Sequence, residues 1–456
     1  MLRVINPADG SLLREVAEDD AADIAAKFAA ARASQPHWAS RPLDERIAIG
    51  RRFAGLLAER TEDLARTLTS EMGKPIRQAR NELNAMQGRL AFFLDHVARA
   101  TADEPLDPRD GVEERIAWEP LGVIANISAW NYPWFVGSNV FMPALLTGNA
   151  VLYKPSEHAT LTGLAIGDLW RDAGLPSDLF AVIVGAGQTG ARVLEQDIDG
   201  VFFTGSYATG RRIAEAAGPR MMRLQLELGG KDPAYVADDV DAAAAAAAIA
   251  DGAFYNAGQS CCAVERVYAH HRVAPAFVDA FVAAVRAFKV GDPTDETTYL
   301  GPLARAGQLD VLEDQVRDAV AQGAKLLTGG ARRGGAGWYF EPTVLAGVDH
   351  RMKVMREESF GPIIGIQEVA GDDEAVARMN DTEYGLTASV YTRDGERARR
   401  ILSQVNAGTV YWNCCDRVSP QLPWTGRRHS GIGSTLSVAG IRAFVQPKAW
   451  HLKAGC

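Results

Sequence analysis

Short apolar strands alternate with helices between residues 123 and 228, and this alternation is the feature that most constrains the fold. The sequence predicts strands at 123–127, 150–153, 179–184, 201–203 and 224–228. Helices are predicted between them, at 136–146, 161–172 and 211–217. Strands that alternate with helices imply a parallel sheet with helical crossovers. We therefore expect an α/β fold whose ligands bind at the carboxyl ends of the strands.

Two glycine-rich turns could bind a phosphate at that edge. The segment 185–190 matches GxGxxG, but the acidic residue expected about 20 positions later is missing. The segment 205–210 follows a predicted strand and precedes a helix, so its N–H groups and the helix dipole favour an anion. We prefer this second turn, with Ser206 as a hydroxyl donor. Either turn could also be an ordinary βα loop.

Two adjacent cysteines, Cys261 and Cys262, lie in a glycine-containing loop between a predicted helix and a strand. Most free cysteines are small buried hydrophobic residues, and this local pattern favours that interpretation. Glu227 stands just before Gly229 and Gly230 at the end of a predicted strand. It is either a satisfied structural acid or a base that faces a cleft, since glycines allow other groups to approach closely.

Composition excludes several function classes. The net charge of −9 is spread over 456 residues, which does not favour nucleic-acid binding. No apolar run approaches the roughly 20 residues of a membrane span, and the first residues lack a signal-peptide core. Five cysteines, four of them in adjacent pairs, favour a reducing cytoplasm, and no spacing predicts a metal site.

Five fragments in order carry a family resemblance. They are Trp-Asn-Tyr-Pro at 130–133, Lys-Pro-Ser-Glu at 154–157, Leu-Glu-Leu-Gly-Gly-Lys at 226–231, Gly-Gln-Ser-Cys at 258–261 and Glu-Ser-Phe-Gly-Pro at 358–362. With this order and spacing the chain resembles the NAD(P)-dependent aldehyde dehydrogenase superfamily over nearly its whole length. The resemblance implies a Rossmann-type cofactor domain (1–97 and 121–228) and an α/β catalytic domain (229–429). It also implies a small β oligomerisation arm with a tail (98–120 and 430–456), and hence a homodimer or homotetramer.

The resemblance also implies roles for matching residues. Cys261 is then the nucleophile, Glu227 the general base and Asn131 the donor to an oxyanion. The implied cofactor-binding residues are Trp130, Lys154, Ser156, Glu157, Gly205, Ser206, Gly210, Leu228, Glu358 and Phe360. The expected reaction oxidises an aldehyde to the acid through a thiohemiacetal and a thioester on cysteine. Glu157 favours NAD over NADP, because a carboxylate accepts from ribose hydroxyls and repels a 2′-phosphate.

The substrate is predicted from four positions that line the family's aldehyde tunnel: Tyr132, Asn139, Tyr255 and Trp424. Succinic semialdehyde dehydrogenases often carry arginines at the positions of Asn139 and Tyr255. Both residues are uncharged here, which argues against a short aldehyde with a terminal carboxylate. The three aromatic residues favour an aromatic or medium-chain aldehyde, or an amino aldehyde bound through cation–π contact. A succinic semialdehyde-type enzyme is the alternative.

Two departures and two rival functions remain. A glutamate and a lysine sometimes assigned to proton relay in the family are Thr435 and Val140 here, which bears on deacylation. A catalytically inactive, crystallin-like structural protein would share the fold, but the intact Cys261, Glu227 and Asn131 argue against it. A CoA-acylating enzyme would generally lack the glutamate at position 227.

Overall fold

The computed structural model describes residues 1–107 and 111–453. Positions 108–110 of the predicted arm and 454–456 of the predicted tail lie outside the described residues. The strands are β1 (Leu2–Ile5), β2 (Leu12–Val16), β3 (Glu104–Pro105), β4 (Val112–Pro120), β5 (Val123–Ile127), β6 (Ala150–Lys154), β7 (Phe180–Val182), β8 (Gly200–Thr204), β9 (Arg223–Glu227), β10 (Asp232–Val236), β11 (Val264–His270), β12 (Lys325–Thr328), β13 (Thr343–Ala346), β14 (Ile363–Val369), β15 (Thr387–Tyr391), β16 (Thr409–Trp412), β17 (Gly431–Ile432) and β18 (Val445–Lys453).

The α-helices lie between these strands and on both sides of the sheets. They are α1 (Ala21–Ala39), α2 (Leu43–Glu59), α3 (Thr61–Met72), α4 (Ile76–Thr101), α5 (Pro133–Leu146), α6 (Thr160–Asp172), α7 (Gly187–Glu195), α8 (Tyr207–Ala217), α9 (Ala242–Phe254), α10 (Ala274–Arg286), α11 (Gly307–Ala321), α12 (Lys353–Arg356), α13 (Asp372–Asn380), α14 (Gly395–Leu402) and α15 (Ser437–Arg442). In residues 1–107 and 111–453, no helix combines the length and the apolar character needed to cross a bilayer.

A six-stranded sheet confirms the parallel arrangement predicted for residues 123–228. Its order is β17-β9-β8-β5-β6-β7, and every pair is parallel except β17 with β9. All residues of β5 and β6 are buried, as expected for central strands covered by helices on both faces. Ile127 pairs with Lys154, and Thr204 pairs with Glu227. The parallel register therefore brings the carboxyl ends of β6, β8 and β9 to one edge of the sheet.

A second sheet of seven strands has the order β12-β13-β14-β11-β10-β15-β16, with only β12 antiparallel. The sequence interpretation missed β10, β13 and β15. These strands are buried on both faces, so they show no alternation of apolar and polar residues. In addition, β10 contains Asp232 and Pro233, which are uncommon in central strands.

A third sheet forms the predicted arm. In it β18 pairs with β4 over nine positions, from Val445 with Pro120 to Lys453 with Val112, and β3 adds a short third strand. The predicted tail is divided between two sheets, because β17 joins the six-stranded sheet, where Gly431 pairs with Glu227. The tail therefore contributes to the site edge as well as to the arm.

Apolar residues recur at helical spacing from 42 to 69, which predicts one helix, but the structure has two helices there. The chain leaves helical geometry at Arg60, where φ is −102° and ψ is 12°, and α3 begins directly afterwards. Apolar residues at helical spacing continue through this point, so periodicity alone could not place the break. The kink lies away from the strand ends and does not affect the site.

The cysteine loop has the most unusual backbone of the site region. Asp241 caps α9 by accepting from the N–H groups of Ala243 and Ala244. After α9, three consecutive residues, Asn256, Ala257 and Gly258, have positive φ values of 55°, 55° and 70°. A Cβ at Gly258 would overlap the carbonyl oxygen of Gly361. Glycine is therefore required there by both conformation and space.

We expect Gly258→Ala to destabilise the protein by about 2 kcal/mol or more, because alanine adds a strained positive φ and a steric overlap. Chemical denaturation of the free protein measures this. The matched control is Gly55→Ala, an exposed position inside α2 with open space around it. Alanine there should stabilise by about 0.5–1 kcal/mol through helix propensity. Equal effects of the two substitutions would contradict the assigned geometry.

Candidate active site

The two thiols occupy different environments. Cys261 is half-buried, whereas Cys262 is buried and its Sγ donates to Asp416 Oδ1 at 3.0 Å. Ser260 Oγ also donates to this carboxylate, at 3.3 Å. The neighbouring Cys261 thiol, burial and the charge of Asp416 together raise the pKa of Cys262 well above its ordinary value. Cys262 is therefore held protonated, and Cys261 is the thiol that a substrate can reach.

Asn131 connects the end of β5 to the cysteine loop. Its Nδ2 donates to the backbone carbonyl of Gln259 at 3.1 Å. In return, Asn256 Nδ2 donates to the Asn131 carbonyl at 3.2 Å and to the Gln259 carbonyl at 3.1 Å. An amide nitrogen carries two N–H donors, so one donor of Asn131 is available to another acceptor. These contacts place the predicted oxyanion donor next to the predicted nucleophile loop.

Glu227 lies at the end of β9 and is 5% exposed. The Thr435 hydroxyl donates to Glu227 Oε1, and Thr204 Oγ1 lies 3.5 Å from Oε2. Burial raises the pKa of Glu227 to about 7, although the Thr435 hydrogen bond and the charge of Arg89 oppose this rise. A carboxyl group that titrates near neutral pH suits general-base catalysis.

The predicted diphosphate turn is the N-terminus of α8. Ser206 is exposed and caps the helix, since its Oγ accepts from the N–H of Thr209 at 3.4 Å. A Cβ at Gly210 would overlap the Leu228 side chain, so this side chain packs directly against the backbone of α8. The Gly205 N–H donates to the Glu227 carbonyl at 3.0 Å. The turn thus offers helix N–H groups beside the end of the sheet, which fits a diphosphate.

The predicted ribose residues lie at the end of β6. Lys154 Nζ is 3.7 Å from Glu157 Oε2. Although burial opposes ionisation of Glu157, the charge of Lys154 holds its pKa below the ordinary value. Ser156 caps the short turn that follows by accepting from the N–H of His158. A half-buried ionised carboxylate with a free side fits two ribose hydroxyls.

Two of the predicted cofactor-binding residues, Glu358 and Phe360, approach the strand ends of the six-stranded sheet from the second sheet. The Gly230 N–H donates to Glu358 Oε1 at 3.1 Å, and burial together with the charge of Glu265 raises the pKa of Glu358 to about 8. Phe360 has a φ of 48°, and its ring meets Trp130 edge to face at 5.4 Å. Two sheets therefore present the predicted cofactor residues to one cleft.

The sequence did not predict the residue that anchors the segment from Glu358 to Phe360. Glu265 accepts from the N–H of Ser359 and of Phe360, both at 2.9 Å, and pairs with the buried Lys231 at 2.7 Å. A lysine directly after Gly229 and Gly230 was visible in the sequence. Its partner was not, because Glu265 is distant in sequence and opens a strand.

The four predicted substrate residues occupy separate places. Tyr132 begins α5, and the Nζ of buried Lys74 lies 3.7 Å from its ring centroid. Tyr255 follows α9, and its hydroxyl accepts from Asn81 at 3.1 Å. The remaining two, Asn139 and Trp424, are buried at 3% and 6% exposure. Trp424 pairs by its backbone with Thr435, which places it beside the hydrogen-bond partner of Glu227.

Two charged residues beside the predicted substrate residues, Glu82 and Arg89, were not predicted from the sequence. Glu82 pairs with Lys74 inside the protein and accepts from the N–H of Trp134 at 3.0 Å, which anchors the start of α5. Arg89 donates to Asn139 Oδ1 at 2.8 Å. A signal for Arg89 existed, since it lies three residues after Met86 and four before Phe93, on the buried face of α4.

The comparisons with known proteins agree with this geometry. The model of the aldehyde dehydrogenase family matches residues 1–450. Betaine aldehyde dehydrogenase of Brucella melitensis is 35% identical over 100% of this chain and 94% of its own. An NAD-dependent aldehyde dehydrogenase from Sinorhizobium meliloti has a TM-score of 0.96 and 34% identity, covering 100% of this chain and 91% of its own. An NADP-dependent enzyme from Escherichia coli has a TM-score of 0.96 and 30% identity, covering 99% and 94%.

The fold and these matches define an oxidoreductase whose predicted site residues come from two largely parallel sheets. The chain belongs to the aldehyde dehydrogenase family. Members of this family depend on NAD or NADP, and the neighbours include both kinds. The family and the predicted fold are thereby confirmed, whereas the roles of individual site residues stay predictions.

The Thr435 hydroxyl should set the pH dependence of activity. Its hydrogen bond lowers the pKa of Glu227, so Thr435→Val should raise that pKa above about 7. Because the ionised carboxylate is the base, activity should rise with pH through the Glu227 pKa, and the variant's curve should lie at higher pH. The pH profile of kcat measures this. Thr435→Ser keeps a hydroxyl and should retain the wild-type curve; a valine variant with an unshifted profile would contradict the assignment.

Proposed function

We propose that this chain oxidises an aldehyde to its carboxylic acid with NAD, using Cys261 as nucleophile, Asn131 as oxyanion donor and Glu227 as general base. The observation that carries the proposal is the reciprocal contact between Asn131 and the 256–259 backbone. This contact holds the Asn131 side chain against the backbone of Gln259, which lies two residues before the half-buried Cys261. Glu227, whose pKa is raised to about 7 by burial, ends β9 in the same sheet as β5, the strand that precedes Asn131.

The geometry supports a covalent mechanism. Attack by the Cys261 thiolate on the aldehyde carbon forms a tetrahedral oxyanion, since an aldehyde offers no leaving group for direct displacement by water. The free N–H of Asn131 and the N–H of Cys261 can hold this charge, at about 3–4 kcal/mol per donor in other enzymes. A bound nicotinamide would accept the hydride that leaves the tetrahedral carbon. Glu227 then takes a proton from the water that hydrolyses the thioester.

Two substitutions separate these roles. Cys261→Ala should abolish NADH formation with any aldehyde, whereas Cys262→Ala should retain it, because Cys262 is protonated and buried. Glu227→Gln should retain a burst of about one NADH per site and lose steady-state turnover, since thioester hydrolysis would lack its base. Rapid-mixing absorbance at the NADH band measures both. An unchanged steady-state rate of Glu227→Gln would remove that residue from deacylation.

Hydrolysis also distinguishes this proposal from its rivals. A CoA-acylating enzyme would pass the thioester to CoA, and its rate would depend on added CoA. The buried carboxyl group of Glu227 favours water instead. A crystallin-like protein without activity would produce no NADH with any aldehyde, so an aldehyde screen with NAD tests the proposed function as a whole.

NAD is proposed as the cofactor because Glu157 lies ionised beside Lys154. We expect kcat/KM to be at least about tenfold higher for NAD than for NADP, since a 2′-phosphate would face a carboxylate. Glu157→Gln should narrow this ratio by relieving the repulsion. Steady-state kinetics with both cofactors and one aldehyde measure the ratio. A wild-type preference for NADP would overturn the proposal.

The aromatic residues support an aromatic or medium-chain aldehyde. They do not favour a cationic amino aldehyde, because Lys74 and Arg89 already lie over the rings of Tyr132 and Phe135, at 3.7 and 4.1 Å. A cationic substrate group would also be repelled by the Arg89 guanidinium. The substrate named for the Brucella relative is therefore not carried over to this chain.

A homodimer or homotetramer is also proposed. In the part of the chain that the structure describes, β18 pairs only with β4 and leaves its other edge without a strand. An open edge of nine residues favours pairing with another chain. The mass of the protein in solution decides between monomer, dimer and tetramer.

A further inference from the structure

Arg89 is a buried arginine without an acidic partner. It lies inside α4 with 6% of its surface exposed. Its guanidinium lies 4.1 Å from the Phe135 ring centroid, and its Nη1 donates to Asn139 Oδ1 at 2.8 Å. Across residues 1–107 and 111–453 it forms no ion pair. Buried arginines are normally paired, so this side chain needs an explanation.

Most of its donors are unused. A guanidinium carries five N–H groups, and Asn139 is the one hydrogen-bond partner of the Arg89 side chain within the described chain. None of its nitrogens is among the buried polar atoms that are sealed off without a partner. The N–H groups without a partner therefore keep some accessible surface and are not completely enclosed by packing.

Residues of α5 link Arg89 to Asn131 and the cysteine loop. Tyr132, Phe135 and Asn139 follow one another at spacings of three and four, so they share one face of α5. The rings of Tyr132 and Phe135 stack at 6.0 Å. Tyr132 directly follows Asn131, which contacts the cysteine loop. Arg89 thus lies at the far end of a wall that begins at the oxyanion donor.

No carboxylate among the described residues forms an ion pair with Arg89, although the charges of Glu227 and Glu82 act on it from a distance and favour its protonated form. Burial lowers the pKa of Arg89 to about 10, which still leaves the guanidinium protonated at neutral pH. Lys74, the other buried cation of this wall, is neutralised by its ion pair with Glu82. The hydrogen-bond partner of Arg89 is the neutral amide of Asn139. An anionic ligand group would complete its hydrogen bonding, whereas a cationic one would be repelled.

We propose that Arg89, held in place by Asn139, binds a carboxylate at the far end of the substrate, so that this enzyme acts on aromatic or medium-chain aldehydes that carry an acid group. This inference rests on the proposed function. The Nε and Nη2 edge of a guanidinium matches a carboxylate with two parallel hydrogen bonds. Asn139 and Tyr255 are uncharged, which argued against an acidic substrate. The structure places a positive charge beside Asn139 nevertheless, that of Arg89 in α4.

The test uses aldehydes matched in shape. We expect kcat/KM for 4-formylbenzoate to exceed that for 4-methylbenzaldehyde by about tenfold or more, as for a hydrogen bond to a charged group. The neutral acceptor 4-methoxybenzaldehyde should lie between them. Arg89→Met should reduce the ratio of the first two to about one, and Arg89→Lys should leave an intermediate ratio. The control Arg77→Met, exposed on the same helix, should keep the wild-type ratio.

Two outcomes would overturn the inference. One is a wild-type preference for 4-methylbenzaldehyde. The other is an Arg89→Met variant that loses activity equally on both aldehydes with a shifted pH profile, which would make Arg89 a positioning residue for Glu227. Thermal unfolding of each variant establishes whether it is folded. If Arg89→Met does not fold, the wild-type ratio of kcat/KM for 4-formylbenzoate to that for 4-methylbenzaldehyde decides by itself.

Product binding separates this inference from the reaction itself. Calorimetry with terephthalate and 4-methylbenzoate needs no turnover. Tighter binding of terephthalate, lost in Arg89→Met, supports the carboxylate site even if no aldehyde yields NADH. Equal binding of the two acids, with normal oxidation of neutral aldehydes, would reject the site and leave the proposed reaction standing.

Discussion

The reciprocal hydrogen bonds between Asn131 and residues 256–259 are the constraint on which the site depends. They join the end of β5 in one sheet to the loop that precedes β11 in the other. The loop can make them because its backbone turns through three positive φ values. These bonds give partners to the side-chain nitrogens of both asparagines and to the carbonyls of Asn131 and Gln259, so separating the sheets would leave buried polar groups unpaired. The thiol loop is consequently fixed relative to both sheets.

The buried charged residues around this junction are of two kinds: some form ion pairs, and others have only neutral hydrogen-bond partners. Lys74 with Glu82 and Lys231 with Glu265 are complete ion pairs that anchor α5 and the segment of Phe360. Glu227 and Arg89 have only neutral hydrogen-bond partners. Full pairing stabilises a scaffold, whereas an unpaired buried charge is retained at a cost in stability. Glu227 and Arg89 are the two that we propose to face the reacting water and the substrate, and perturbed ionisable groups are common at such sites.

The sequence predicted the six-stranded sheet well, since β5, β6, β8 and β9 fell within about two residues of their predicted ends. It predicted much less of the second sheet, where β10, β13 and β15 lack the alternation that marks a strand. Residues with a motif, such as Asn131, Glu227 and Cys261, could be named in advance. Thr435 was named only as a departure from the family, and its hydrogen bond to Glu227 could not be read from spacing.

The sequence by itself determined the family, the parallel sheet and the candidate reacting groups, because these depend on short motifs and local periodicity. Only the tertiary structure decided which groups share an environment. Cys262 meets Asp416, Thr435 meets Glu227 and Arg89 meets Asn139 across separations of 50 to 208 residues in the chain. Burial and partner charge set the pKa of each group, and both arise from packing between distant segments. The proposed preference for an acidic substrate therefore rests on contacts that no local pattern records.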